Sequence, residues 1–362
     1  MEQLAQLREV MTTANLELLA LVPGPNFRHL TGLQFHLSER PIILLIPRHR
    51  RPVLVLPELE QSRAVSLECD LFAYSDGDGP TAAFAAAAGA LPTGRLGVEG
   101  RAMRFMELEL LAQAGISDER IDATAVLAQL RMCKSSQELE YMERAVAIAE
   151  TAFQEIQPSI TIGMREQELA AALVKALHSA GSEPALPFIP IVATGPNGAD
   201  PHHFPGDSRL ALGDLLIIDW GASHHGYFSD ITRTFVVAAE PTQEQLAAHV
   251  AVRDAARAAR MAAAPGVLAG DVDAAARNSL SQAGFGEFFV HRTGHGLGLE
   301  VHEEPYISQG ATVELEQGMV FTVEPGIYIP SLGGVRIEDD LHVTTNGGHS
   351  LTSLPRDLVV IG

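Results

Sequence analysis

Asp219, Asp230, His295, Glu324 and Glu338 stand on short, otherwise apolar segments in the last 150 residues: LLIIDWGA, YFSDITRTFVV, HRTGHGLGLEVHE, MVFTVEPGIYI and GVRIEDDLHV. An acid inside such a segment costs on the order of several kcal/mol in desolvation unless a cation meets it. Five such residues in one region indicate a metal site. All contexts but the Gly-rich third read as strands by their β-branched and aromatic content. Four carboxylates and one imidazole form a mostly oxygen ligand set that suits Mn2+, Co2+, Mg2+ or Zn2+ better than a thiolate-seeking metal. Charge counting points to two ions, because four anions balance most of two divalent charges. Two ions about 3.5–4 Å apart lower the pKa of bound water and polarise a carbonyl, so hydrolysis is the expected chemistry.

Ordinary strand-end acids in surface ion pairs would explain any one of these residues, but not the doubled pattern they form. A long helix from about residue 136 is followed by a second helix from about 165, closed by Gly181, and a strand pair carrying Asp219 and Asp230. The order recurs with a helix from Thr242, another from Asp271 closed by Gly284, and a strand pair carrying Glu324 and Glu338, at offsets of 105 to 108 residues. Ser135 with Glu138, and Thr242 with Gln245, have capping-box spacing at the two long helices. A turn centred between His224 and His225, next to Gly226, sets Asp219 directly opposite Asp230. The midpoint of Glu324 and Glu338 falls at Ser331, inside PSLGG, so the same facing geometry is expected there. Arg336, two residues before Glu338, shares its face. His291 and His295, four apart, raise a single-zinc site on a helix, but Gly294, Gly296 and Gly298 argue against a helix and no Glu follows His291.

Residues 1–128 alternate short strands (16–22, 41–47, 52–57, 71–75 and 95–99) with helices, an α/β pattern in which nothing gathers chemistry. This stretch reads as a lid or assembly domain, with TAAFAAAAGAL as an exposed helix; residues 129–362 form the second domain. At 362 residues the length fits two domains, and a net charge of −20 argues against phosphate-backbone binding as a main activity. No run of 18 apolar residues exists, and the N-terminal MEQLAQLREV is charged and amphipathic, so a cytoplasmic protein without membrane partners is expected. Cys69 and Cys133 read as reduced, packed thiols.

The five contexts resemble those of the pita-bread metallopeptidases, which include methionine aminopeptidase, aminopeptidase P (Xaa-Pro aminopeptidase) and prolidase. The similarity covers about residues 130–362, and the preceding α/β domain resembles the creatinase-type domain of the aminopeptidase P and prolidase branch. The resemblance implies an α+β fold: a catalytic pita-bread domain with an internal pseudo-twofold repeat behind a smaller α/β domain. It implies Asp219 as ligand to one of two divalent ions, Mn2+ first with Co2+ or Zn2+ as alternatives. Asp230 and Glu338 are then bridging acids, His295 completes the other ion, and Glu324 is a ligand that also handles the proton of water. His202, His291, His302 and Arg336 match catalytic or substrate positions. His203, His224 and His225 read as packed or exposed. Peptides with proline second and a homodimeric assembly follow from the same resemblance.

Cleavage before proline requires a proton donor for a nitrogen that leaves as a secondary amine, and an apolar cradle for the ring. His302 and His202 suit the first need; Phe188, Tyr227 or Tyr306 suit the second. In similar microbial prolidases an arginine follows the His-Glu-x-Pro stretch, where this chain has Tyr306 after Pro305. That departure tilts the expectation to an Xaa-Pro aminopeptidase, with an Xaa-Pro dipeptidase as the alternative. A peptide-binding module or a metal-independent creatinase is disfavoured because every ligand position is kept.

Overall fold

The computed structural model describes residues 2–117 and 119–362; Met1, part of the amphipathic N-terminal stretch, lies outside them. The chain divides into two compact units, Met1–Arg131 and Met132–Gly362. No helix among the described residues is long and apolar enough to cross a membrane.

In the first unit, β1 (Leu18–Leu21), β2 (Ile43–Pro47), β3 (Val53–Pro57), β4 (Asp70–Tyr74), β5 (Leu96–Val98) and β6 (Arg120–Asp122) form one sheet in the order β4-β3-β2-β1-β5-β6. The helices are α1 (Glu2–Thr13), α2 (Pro25–Thr31), α3 (Thr81–Ala88), α4 (Phe105–Gln113) and α5 (Thr124–Arg131). Leu19 and Leu21 point to a core shared with Leu7, Met11 and Leu127, while Leu18 and Ala20 meet Phe84 and Leu111 on the opposite face. Burial on both faces explains why these strands are continuous apolar runs rather than alternating ones. The Ala-rich α3 is not an exposed helix: Ala83, Phe84 and Ala87 are buried, because small side chains let one face of the helix lie close on the sheet. Cys69 is buried as expected, but Cys133 is exposed; both are free thiols.

The second unit opens with α6 (Ser136–Ile156) and α7 (Glu166–Ser179), which cover the sheet β19-β11-β8-β7 built from β7 (Ile191–Thr194), β8 (Leu215–Trp220), β11 (Ile231–Val237) and β19 (Val359–Ile361). Between β8 and β11 lies a small ribbon of β9 (Ser223–His224) and β10 (Tyr227–Phe228). The pattern then repeats. Helices α8 (Gln243–Ala262) and α9 (Ala269–Gln282) cover the sheet β13-β12-β14-β17-β18, made of β12 (Gly294–Gly296), β13 (Glu303–Ile307), β14 (Val320–Val323), β17 (Asp339–Thr344) and β18 (Gly347–Ser350). A separate hairpin pairs β15 (Gly326–Ile329) with β16 (Gly333–Arg336).

Both capping boxes form. Glu138 Oε2 accepts from the Ser135 amide at 2.8 Å, and Gln245 Oε1 accepts from the Thr242 amide at 2.9 Å. Gly181 and Gly284 follow α7 and α9 with φ of 106° and 83°, the left-handed region that glycine enters without strain. Helix α9 starts at Ala269, two residues before the expected Asp271, because the amides of Ala269 and Gly270 find the carbonyls of Val313 and Ala311. The two halves meet where Thr232 of β11 bridges Glu338, whose amide donates to the Thr232 carbonyl at 3.1 Å.

The sole tryptophan, Trp220, is fully buried beside Asp219; its ring stacks on Phe153 at 4.8 Å and its indole N–H donates to the Ala149 carbonyl. Replacing Phe153 with Ala should cost about 3–5 kcal/mol through the cavity left under β8. Chemical denaturation followed by Trp220 emission measures this directly.

Candidate metal centre

Register places the acids. Strand β8 pairs with β11 so that Asp219 faces Thr232 and Trp220 faces Ile231, not Asp219 with Asp230. The turn sits at His225 and Gly226, whose φ values of 48° and 74° give the left-handed two-residue turn that matches strand twist. This is one position later than expected, which shifts the register by two residues. Two residues preserve the face of a strand, so both carboxylates still point the same way, set diagonally. In the second half Val323 pairs with Asp339 and Gly326 with Arg336, leaving Glu324 and Glu338 at the facing positions between them.

His295 comes from the middle of β12. A Cβ on Gly294 would stand 1.8 Å from the Thr322 carbonyl oxygen, and one on Gly296 2.3 Å from that of Glu304. Only glycines on either side let this strand lie so close to its neighbours, which is why the histidine is Gly-flanked. Its amide donates to Thr322 Oγ1 at 3.1 Å.

Donor atoms of Asp230, His295 and Glu338 lie within 4.8 Å of one another, all buried. His295 Nε2 is 3.8 Å from Asp230 Oδ2 and 3.4 Å from Glu324 Oε1. Asp219 joins the group beside Asp230, on whose carboxyl its charge acts, and forms a 2.7 Å ion pair with Arg336 Nη2. All five expected side chains therefore converge, and Arg336 shares their face as anticipated. Thr232 Oγ1 donates to Glu338 Oε2 at 2.6 Å and accepts from Arg336 Nε at 3.1 Å. Behind Glu338, Arg233 donates to its carbonyl at 2.6 Å and pairs with Asp339, which also binds Arg260 and Arg356. The amide of Asp230 donates to the buried carboxyl of Asp340.

The electrostatics show what is missing. Burial raises Asp230 and Glu338 well above the ordinary carboxylate range, and neighbouring carboxylates, Glu338 and Asp219 for Asp230 and Glu324 and Asp219 for Glu338, push the same way. Burial pushes Asp219 up against the pull of Arg336, and Glu324 up to about 7. His295 is held well below its usual value by burial, with His302 adding to the effect, so its ring is neutral and has a lone pair to give. Asp219 Oδ1 and Asp230 Oδ1 are buried with no hydrogen-bond partner. Orphaned acceptors, a neutral imidazole and a guanidinium paired with Asp219 alone among the four acids fit a divalent cation, which would take up the uncompensated charge.

The centre floors a cavity of about 760 Å³ lined in part by Phe188, Ile189, His202, Phe204, Arg292 and His302. The ring of His302 stands edge-on to His295 at 4.2 Å, and burial lowers its pKa. His202 is exposed on the wall. His291 also lines the cavity, but both its nitrogens are engaged: Nδ1 with the Arg292 carbonyl at 2.7 Å and Nε2 with Tyr328 Oη at 2.8 Å. Because Nδ1–H must donate to the carbonyl, Nε2 accepts from Tyr328, whose oxygen in turn accepts from Arg336 at 3.0 Å. Burial, which lowers His291 to about 4, keeps it neutral in this relay. Of the three aromatic candidates for the wall, only Phe188 lines it. Tyr227 packs against Met142 and Leu297 with its hydroxyl on Glu138, and Tyr306 lies under Arg292, 4.5 Å from ring centre to guanidinium. His203, expected to be merely packed or exposed, pairs with the buried Glu166 at 2.8 Å. Thr232 was discoverable from its position two residues after Asp230; Tyr328 and Arg292 carry no spacing signal that ties them to the cluster.

A buried acid cluster that fits divalent ions, at the floor of a peptide-sized cavity between two repeated halves, defines a metallopeptidase of the pita-bread type. The chain belongs to metallopeptidase family M24, which it matches over residues 140–345, and residues 3–133 match the creatinase/prolidase N-terminal domain. It is 39% identical over 355 residues to the Mycobacterium tuberculosis protein named "Probable dipeptidase PepE", covering 96% of this chain and 93% of that one. Against the Xaa-Pro dipeptidase of Pyrococcus furiosus the identity is 42% over 269 residues, 74% of this chain and 76% of the other. The crystal structure of a dipeptidase from Pyrococcus horikoshii OT3 matches with a TM-score of 0.93 at 38% identity, over 99% of both chains.

Glu324 offers a test of the charge balance. Its folded value of about 7 without cation lies above the roughly 4.3 of an unfolded glutamate, so its contribution to stability is complete below about pH 4 and is lost as pH rises through 7. The metal-free Glu324→Gln protein should therefore melt progressively higher than metal-free wild type between pH 5 and pH 8. Thermal scans across that range should show the gap widening; a constant gap contradicts the assignment.

Proposed function

We propose that this chain hydrolyses the peptide bond preceding proline, with Xaa-Pro dipeptides as its substrates. The observation that carries the reading is the convergence of Asp230, His295 and Glu338 on one point at the floor of a cavity walled by imidazoles and apolar rings. The names of the relatives favour the dipeptidase over the aminopeptidase first expected from Tyr306. Arg292 supplies the cation that the Tyr306 position lacks. It lines the cavity with its guanidinium stacked on that tyrosine, within reach of a substrate carboxylate. The cavity is open to solvent beside the exposed Phe204, and this observation favours a second reading in which longer peptides are trimmed of their first residue.

Asp219, Asp230, His295, Glu324 and Glu338 would hold the metal, proposed as two ions with manganese first on the strength of the oxygen-rich donor set. When bound, such ions supply a water of lowered pKa and polarise the scissile carbonyl. Glu324 takes the proton of the attacking water as the C–O bond forms and passes it to the proline nitrogen as the C–N bond breaks. His302 and His202 face the leaving nitrogen as hydrogen-bond donors. His291 and Tyr328 act with Arg336 to keep Asp219 aimed, since Arg336 bridges the tyrosine and the aspartate. Phe188 and Ile189 exclude water around the proline ring.

The test compares Xaa-Pro with Xaa-Pro-Xaa on metal-loaded protein, alongside Arg292→Ala. A dipeptidase turns over the dipeptide at least about tenfold better, and loses that preference when the carboxylate anchor is removed, as expected for a charge-assisted contact of about 1.5–3 kcal/mol. Equal or better turnover of the tripeptide selects the aminopeptidase reading. No turnover of either overturns both.

A further inference from the structure

Several buried acids lie outside the metal cluster, and two of them stand behind the cavity walls with no part in the chemistry above. Glu166 opens α7 and Asp273 lies in the first half of α9, and both are fully buried. When the two helices are matched from their N-caps, Arg165 and Leu268, to their closing glycines, the acids fall one turn apart on the same face. At the position matching Glu166 the second helix has Ala269, and at the position matching Asp273 the first has Ala170, both buried. Helix packing therefore does not itself require a carboxylate at either place.

What each acid does is tie down a segment of chain. Glu166 Oε1 accepts from the Thr194 amide and from Asn197 Nδ2, both at 2.9 Å; its Oε2 accepts from the Gly206 amide at 3.1 Å and meets His203 Nε2 at 2.8 Å. The segment so held, 194–206, presents His202 and Phe204 to the cavity. Asp273 Oδ1 accepts from the Thr293 amide at 3.1 Å and its hydroxyl at 2.8 Å, while Oδ2 pairs with Arg277 Nε at 2.6 Å. Arg277 then donates to the carbonyls of His291 and Phe289. This second segment, 289–293, presents His291 and Arg292. The same device thus stands behind both walls of one cavity, built from non-equivalent residues of the two halves.

We propose that Glu166 and Asp273 are positioning residues, Glu166 fixing the wall that carries His202 and Asp273, through Thr293 and Arg277, fixing the wall that carries His291 and Arg292. The carboxylates anchor backbone amides, so the anchoring is independent of what the cavity binds; only its kinetic consequence rests on the peptidase reading.

Hydrogen exchange read by mass spectrometry on full-length, metal-loaded Glu166→Gln and Asp273→Asn tests the inference. Exchange in 194–206 should quicken by about tenfold or more in the first variant with 289–293 unchanged, and the second variant should show the reverse. Metal content should match wild type, and KM for the Xaa-Pro substrate should rise by about tenfold, with kcat falling by a smaller factor than KM rises, since the walls that carry His202, His291 and Arg292 have moved and the metal ligands have not. Exchange that quickens in both segments alike, or in neither, overturns the proposal. Unchanged KM despite segment-specific exchange overturns its kinetic half. A wild-type protein without peptidase activity would defeat the functional reading while leaving the exchange pattern to decide this one. Asn197→Ala and Thr293→Val, each removing one side-chain contact to its acid, carry the same segment-specific expectation should either acid variant fail to fold.

Discussion

Repulsion among buried carboxylates is the constraint that organises the second unit. Asp219, Asp230, Glu324 and Glu338 share a site in which burial and their own fields oppose ionisation, and Arg336 pairs directly with Asp219 alone among them. Such a cluster persists in a fold only if something recovers the cost, and unpartnered oxygens on Asp219 and Asp230 mark where it does so. The strands around the site are held by groups that keep these acids aimed: Thr232 and Arg233 at Glu338, Arg336 at Asp219, Thr322 at His295.

The repeated architecture serves this constraint. Each half contributes a strand pair that delivers two acids, and the halves join through the Thr232–Glu338 bridge, so the acids meet at the seam. The helices behind each sheet supply the apolar packing that the acids cannot. Ala-rich α8 buries Ala248, Ala251, Ala255, Ala256 and Ala259 to come close to its sheet, and α6 does so with larger side chains such as Met142 and Phe153. Much of the cavity wall comes from the irregular segments between these elements, where chain geometry is free to vary without disturbing the acids.

Much of this was legible in the sequence because it obeys local rules. The capping boxes, the closing glycines and five of the strands of the first unit follow from short-range chemistry, while the short, half-exposed β6 lacks the apolar run that marks the others, and acids in apolar segments announce a shared site. What escaped depends on longer-range choices. The hairpin register moved by two residues because His225 and Gly226 take the turn together, a preference that His224–His225–Gly226 alone does not settle. Helix α3 looked exposed because alanine is compatible with either surface. The sequence next to Tyr306 shows no cation, whereas Arg292 reaches the ring from outside that stretch. Glu166 and Asp273 resemble ordinary helix acids until their burial is seen.

The account stands or falls on whether cations complete the cluster, and direct metal uptake by stripped protein measures that. Titration with Mn2+ near pH 7, monitored by calorimetry in buffers of different ionisation enthalpy, should show saturable binding with release of protons, because the raised carboxylates give up protons as the metal enters. Absence of saturable uptake by folded protein with all five side chains intact would contradict it.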